Sequence, residues 1–192
     1  MKITVINATE KRGVTYRLKE MFLAEFKNKA NITEYYLPKD CPNFCVGCTN
    51  CILKGEKACK DAEYIERIDR SLLEADLIVM TSPAYVFHAT GAIKNLLDHF
   101  AYRWLPHRPA PEMFGKRAVI ITQCLGAGAK SAAKDIKHSL SWWGISKIGI
   151  FILIPPKYRA EFACATPCGF PFYLNQYQVL SRSFHTEEMS AA

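Results

Sequence analysis

Four cysteines crowd one short stretch, CVGCTNCILKGEKAC, in which Cys45, Cys48 and Cys51 are separated by two residues each and Cys59 follows after seven. Thiolates at a Cys-x2-Cys-x2-Cys interval can wrap one cubane. The run therefore suits a four-iron four-sulfur cluster better than zinc, which usually takes two separated cysteine pairs. Zinc or reduced structural thiols are the other readings of the same residues, and Lys60 stands where ferredoxin-type runs have proline. Cys41, Cys164 and Cys168 lie outside the motif.

Three further segments carry residue types that bind small molecules. NATEKRGVTYRL, from Asn7, joins an apolar run to a helical pattern, so its backbone amides face the positive end of a helix. Thr9 and Thr15 can donate hydroxyl hydrogen bonds, Gly13 permits close approach, and Lys11 or Arg12 adds charge. With the amides from Gly13 through Val14 and Thr15 to Tyr16, a phosphate fits; an ordinary helix cap is the alternative. TSPAYVFHATGAIKNLLDHF follows a later strand, where Pro83 fixes the chain and Tyr85 or Phe87 offers a stacking surface, unless both rings simply pack in the core. His88 and His99 read as structural histidines. TQCLGAGAKS imitates a phosphate loop but fails its spacing: Ala129 precedes Lys130 and Ser131, and Cys124 stands where the first glycine belongs. That excludes a nucleotide triphosphatase, while Thr122, Gly126 and Gly128 still let the backbone approach a ligand.

These loops need a frame. Apolar runs at Ile3 to Ile6, Ile32 to Leu37, Leu77 to Thr81, Ala118 to Thr122 and Ile148 to Ile154 have the length of buried strands. Helical patterns lie between them: Leu18, Met21, Phe22 and Phe26; Ile65, Ile68, Leu72 and Leu73; Ile93, Leu96, Leu97 and Phe100; Ala129 to Trp143. Alternation of this kind forces right-handed crossovers, so the expected fold is α/β, a three-layer doubly wound parallel five-stranded sheet of order 2-1-3-4-5. Ligands then bind beyond the carboxyl ends of the strands, at Asn7, Ser82 and Gln123. Residues 1–154 are expected to form the domain, with the cysteine-rich insertion at 40–60 and a C-terminal extension, 155–192, packing on the domain or a partner.

The formal charge of +7 comes from scattered Lys and Arg rather than a stripe, which argues against nucleic acid and suits phosphorylated ligands or plain solubility. The opening MKITVIN runs straight into a strand without the pattern of a secretory signal, so a cytoplasmic protein is expected. The longest apolar stretch, IGIFILI from Ile148, falls well short of the roughly 20 residues that span a bilayer, and no membrane segment is expected.

From Met1 to Ile154 the sequence resembles the NADPH-dependent FMN reductase branch of the flavodoxin-like proteins. The resemblance rests on the first loop, on Ser82-Pro83-Ala84-Tyr85 and on the Gly-rich third loop, with Ala8, Thr9 and Val14 as departures from the usual Gly, Ser and polar residue. It implies FMN held by Thr9, Lys11, Gly13, Val14, Thr15 and Tyr16 at the phosphate, by Pro83, Ala84, Tyr85, Val86 and Phe87 around the isoalloxazine ring, and by Thr122 and Gly126 beside it. NAD(P)H as co-substrate and a small electron acceptor follow. No side chain is assigned as catalytic. The cysteine run is similar to that of iron-sulfur flavoproteins, which would make Cys45, Cys48, Cys51 and Cys59 cluster ligands. An electron carrier that shuttles electrons between proteins is the alternative function. The segment from His99 to Lys116 is long for a connector and is expected to form a contact in a homodimer or homotetramer.

Overall fold

Runs of β-branched residues bounded by polar turns become five strands: β1 Lys2–Asn7, β2 Asn31–Tyr36, β3 Leu77–Pro83, β4 Arg117–Gln123 and β5 Lys147–Leu153. They are seen in a computed structural model, which describes residues 1–154. All pairings are parallel and the order is β2-β1-β3-β4-β5, as the alternation predicts. β3 and β4 run slightly past their apolar runs because Ser82 pairs with Thr122 and Pro83 with Gln123. Proline is tolerated there because a strand end need not donate to the ladder.

The helices are α1 Val14–Ala24, α2 Asn50–Leu53, α3 Ala62–Glu74, α4 Gly91–His99, α5 Ala101–Trp104 and α6 Ala129–Trp142. Alternate strand residues face opposite layers. Ile3, Val5, Val79, Val119 and Ile121 pack with Leu18, Phe22 and Leu23 of α1, whereas Ile6, Ile78, Met80, Ala118 and Ile120 meet the apolar stripes of α3, α4 and α6. Each such fully buried aliphatic side chain contributes about 1.5–3 kcal/mol. α6 ends where Gly144 takes the left-handed conformation and Ile145 N bonds to Leu140 O at 3.1 Å.

Helix α1 departs from the expected stripe. Met21 is exposed and Phe26 lies beyond the helix end, while Lys19 is fully buried. Its Nζ lies 2.6 Å from Glu20, 2.7 Å from Glu34 and 4.2 Å above the Tyr16 ring. Burial opposes the ammonium charge, yet the bonds to Glu20 and Glu34 outweigh it and hold Lys19 above its ordinary pKa. Periodicity could not show α2, α5 or the 3-10 turns at 56–58 and 111–113, which span about one turn each and never repeat the pattern.

The His99 to Lys116 segment is half core. Phe100, Tyr102, Arg103, Met113 and Lys116 are buried. Arg103 pairs with Asp69, and Lys116 Nζ donates to the carbonyls of Leu73 at 2.7 Å and Ala75 at 2.6 Å, ending α3. Trp104, Leu105, His107, Arg108, Glu112 and Phe114 face out. No helix among the described residues is long and apolar enough to cross a membrane. The expected extension at 155–192, with Cys164 and Cys168, lies outside the described residues.

Candidate functional site

At the carboxyl ends of β1, β3 and β4 the three loops are laced together. Ala8 N donates to Thr81 O at 3.0 Å and Ala84 N to Gln123 O at 2.8 Å. Thr90 joins two loops at once: its amide donates to Ser82 Oγ at 3.1 Å and its hydroxyl to Ala8 O at 3.1 Å. The Thr90 side chain also caps α4 by accepting from Ile93 N. A threonine directly before Gly-Ala-Ile was a legible cap signal that the sequence reading passed over.

In the first loop Gly13 is the N-cap of α1 in an extended conformation, and no side chain caps it. The first-turn amides are thus left to a ligand or water. Val14, Thr15 and Tyr16 belong to the first turn of α1 rather than to the loop, with Thr15 buried and the Val14 side chain outward. Thr9 Oγ1 accepts from Lys11 N at 3.0 Å, bracing the loop while its hydroxyl proton stays free to donate. Arg12 lies 5.5 Å from the Tyr16 ring centre.

The second loop has the most unusual backbone. Tyr85 and His88 close a two-residue turn with reciprocal bonds of 2.9 and 3.0 Å, and both central residues are left-handed, Val86 at φ 48° and Phe87 at φ 69°. That conformation costs about 1–2 kcal/mol per residue, and for a β-branched side chain it is an outlier. Core packing does not compensate it: Tyr85, Val86 and Phe87 are 52%, 90% and 60% exposed. Strain that holds apolar side chains in solvent marks a binding segment. Asp135 Oδ2 steadies the turn, accepting from Ala89 N at 3.1 Å and meeting His88 Nδ1 at 3.2 Å.

The third loop presses on the second. Gly128 has φ +95°, and a Cβ there would lie 2.6 Å from Phe87 Cα. Thr122 Oγ1 and Gln123 Oε1, neighbours at the end of β4 and so on opposite faces of the sheet, are both buried without a hydrogen-bond partner, which costs about 1–3 kcal/mol each. Gly126 is half-buried and Cys124 buried. A polar cleft lined by Lys2, Thr33, Ser71 and Glu74 opens at the opposite ends of the strands and has no share in this arrangement.

The cysteine segment docks beside it on α4. Cys45 N donates to Asn95 Oδ1 at 2.9 Å, and Asn95 Nδ2 donates to Asn43 O at 2.8 Å. All four motif thiols are free; Cys45, Cys51 and Cys59 are half-buried and Cys48 is exposed. Burial, followed by the neighbouring Cys59 and Cys45 thiols, pushes the Cys51 thiol up. Cys41 is buried behind them and pushed up to about 11, by burial first and then by Asp61, Cys59 and Cys45. Among the described residues, Cys59, Asp61 and His99 form the group of three ligand types whose atoms lie within 4.8 Å of one another. Two thiolates on one zinc are at most about 4.6 Å apart, so a zinc tetrathiolate would require the loop to contract. A cubane takes one cysteine per iron and accepts a wider set.

Doubly wound topology, an uncapped helix start at the first crossover and a strained aromatic turn after β3 define a flavodoxin-like fold. The chain belongs to the NADPH-dependent FMN reductase family, whose model matches residues 1–157. It is 26% identical over 149 residues to an iron-sulfur flavoprotein of Archaeoglobus fulgidus, covering 77% of this chain and 65% of that one. It is 30% identical over 104 residues to the FMN-dependent NADH:quinone oxidoreductase 2 of Pseudomonas putida, covering 46% of this chain and 52% of that one. An FMN-dependent NADH-azoreductase of Bacillus anthracis, solved in complex with FMN, shares the fold at 16% identity with a TM-score of 0.61, over 84% of this chain and 93% of that one. The chain thus spans about half to two thirds of the length of these curated relatives.

Proposed function

We propose that this protein is an FMN-dependent NAD(P)H oxidoreductase that passes electrons from a nicotinamide to a small acceptor. The observation that carries the reading is the strained, exposed Tyr85–His88 turn that follows the carboxyl end of β3. FMN fits these residues. Thr9, Lys11, Gly13, Val14, Thr15 and Tyr16 supply amides, hydroxyls and charge for its phosphate, whereas Pro83, Ala84, Tyr85, Val86, Phe87, Thr122 and Gly126 border its ring. When bound, the flavin supplies the two-electron chemistry; the chain holds and orients it and excludes water from one face. No side chain need act as acid, base or nucleophile.

The spacing of Cys45, Cys48, Cys51 and Cys59 and a relative named as an iron-sulfur flavoprotein support a four-iron cluster on these thiols. The exposed Trp104, Leu105, Phe114 and Trp142 favour a second copy of this chain as partner, which light scattering tests by the mass in solution. The primary test is the anaerobic visible spectrum, taken with FMN and then NADPH. Flavin bands that bleach on NADPH addition are expected, with a broad brown shoulder and acid-labile sulfide if the cluster is present. Protein that binds no flavin refutes the reading. Flavin that binds but is not reduced by either nicotinamide leaves the alternative of an electron carrier.

A further inference from the structure

We propose that Glu34 is a positioning residue for the phosphate end of the flavin, a carboxylate that ties the start of the first loop to α1; this rests on the FMN reading above. One oxygen, Oε2, accepts from three side chains: Asn7 Nδ2 at 3.0 Å, Lys19 Nζ at 2.7 Å and the Tyr36 hydroxyl at 2.9 Å. Asn7 is the last residue of β1, where the loop leaves the sheet, and Lys19 lies in the second turn of α1, where the chain has settled into the helix. The bonds to these two residues fix both ends of the segment that carries Thr9, Lys11, Gly13 and the uncapped first turn.

Both ends are held by more than this one oxygen. Asn7 is buried; its amide also donates to Tyr35 O at 3.2 Å and its own oxygen accepts from Thr81 Oγ1 at 3.4 Å. Lys19 is fully buried and lies three residues after Tyr16, on the same face of the helix. Its Nζ stands 4.2 Å from the centre of the Tyr16 ring, and the Arg12 guanidinium stands 5.5 Å from the centre of that ring. A cation is drawn to an aromatic face, so Glu34 sets the loop's Arg12 through Lys19 and Tyr16. Filling the core does not require this arrangement. Apolar residues of the same volume are often as stabilising as a buried ion pair, whereas the pair admits one register of its two elements. The register it sets here is that of α1 and its first turn against the ends of β1 and β2.

The experiment measures dissociation constants of FMN and of riboflavin, which lacks the phosphate, for wild-type apoprotein, Glu34→Leu, Glu34→Gln and the double variant Lys19→Met/Glu34→Leu, with the Tm of each recorded. Wild-type protein is expected to bind FMN more tightly than riboflavin. In Glu34→Leu the FMN affinity should fall about tenfold, the loss from one misaligned hydrogen bond to the charged phosphate, while riboflavin binds as before. Glu34→Gln, whose amide oxygen still accepts from Asn7 and Tyr36, should fall between the two. Equal losses for both flavins, or no loss for either, overturn the proposal, because a carboxylate that only stabilises the fold cannot tell them apart. If Glu34→Leu fails to fold with Lys19 left to Glu20 alone, the double variant decides, since it buries neither charge. Wild-type protein that binds riboflavin as tightly as FMN overturns the phosphate assignment of the first loop, and this proposal with it. Wild-type protein that binds neither flavin overturns the FMN reading itself.

Discussion

Replacing Gly128 by alanine tests whether the second and third loops form one rigid rim. At φ +95° a side chain costs about 1–2 kcal/mol. The added Cβ would also lie 2.6, 3.2 and 3.4 Å from Cα, C and N of Phe87, and backbone atoms cannot rotate away. Forced overpacking adds about 1–3 kcal/mol, for a total near 2–5 kcal/mol. If the Tyr85–His88 turn yields, that energy is taken from cofactor binding, and even the low end weakens FMN about 30-fold. If it holds, apoprotein stability falls instead, by about 4–8 °C in Tm at the low end for a chain of this size. Flavin fluorescence quenching and thermal denaturation of the apoprotein read the two destinations separately. Gly13→Ala is the control: φ is −93° and a Cβ there meets nothing within 4 Å, so apoprotein Tm should hardly move. Gly128→Ala protein with wild-type affinity and wild-type Tm would refute the reasoning.

Thr122→Val removes a buried hydroxyl that has no partner, so the apoprotein should be no less stable while FMN affinity falls; an unchanged affinity removes the hydroxyl from the site. Glu34 is opposed by burial, but Lys19, Asn7 and Tyr36 bond to its carboxylate and hold its pKa below the ordinary value. Its contribution is therefore complete above about pH 4.3 and is lost as pH falls through the lowered folded value. Glu34→Gln should cost about 1–3 kcal/mol at pH 7, because Lys19 keeps Glu20, and the gap should close in acid; urea unfolding at both pH values checks it, and a pH-independent gap speaks against the ion pair. Iodoacetamide at pH 8 on metal-free protein should modify exposed Cys48 early and spare Cys41, which is 2% exposed and shifted to about 11; early labelling of Cys41 in peptide maps contradicts the buried geometry.

The fold was legible because each strand is a short β-branched run between helical stripes, a pattern that admits few topologies. Sequence spacing also singled out the thiols and the loops at Asn7, Ser82 and Gln123, since chain order alone places crossover loops at the carboxyl ends of parallel strands. It failed where burial depends on distant partners. Lys19 looks like a solvent-facing helix residue until Glu34 arrives from β2, and the alternative of Tyr85 and Phe87 as core falls only when the left-handed turn leaves both rings exposed.

What the sequence by itself determined is therefore the order of layers, the end of the sheet where the three loops gather, and the residue types available there. Hydrophobic periodicity and chain direction are local properties, and these follow from them. Only the tertiary structure decided that Gly128 seats against Phe87, that Thr122 and Gln123 keep unpaired oxygens, and that His99 and Asp61 stand behind Cys59. Those contacts join residues about 40 positions apart, and their distances are set by how α4, α6 and the cysteine segment pack rather than by any local preference.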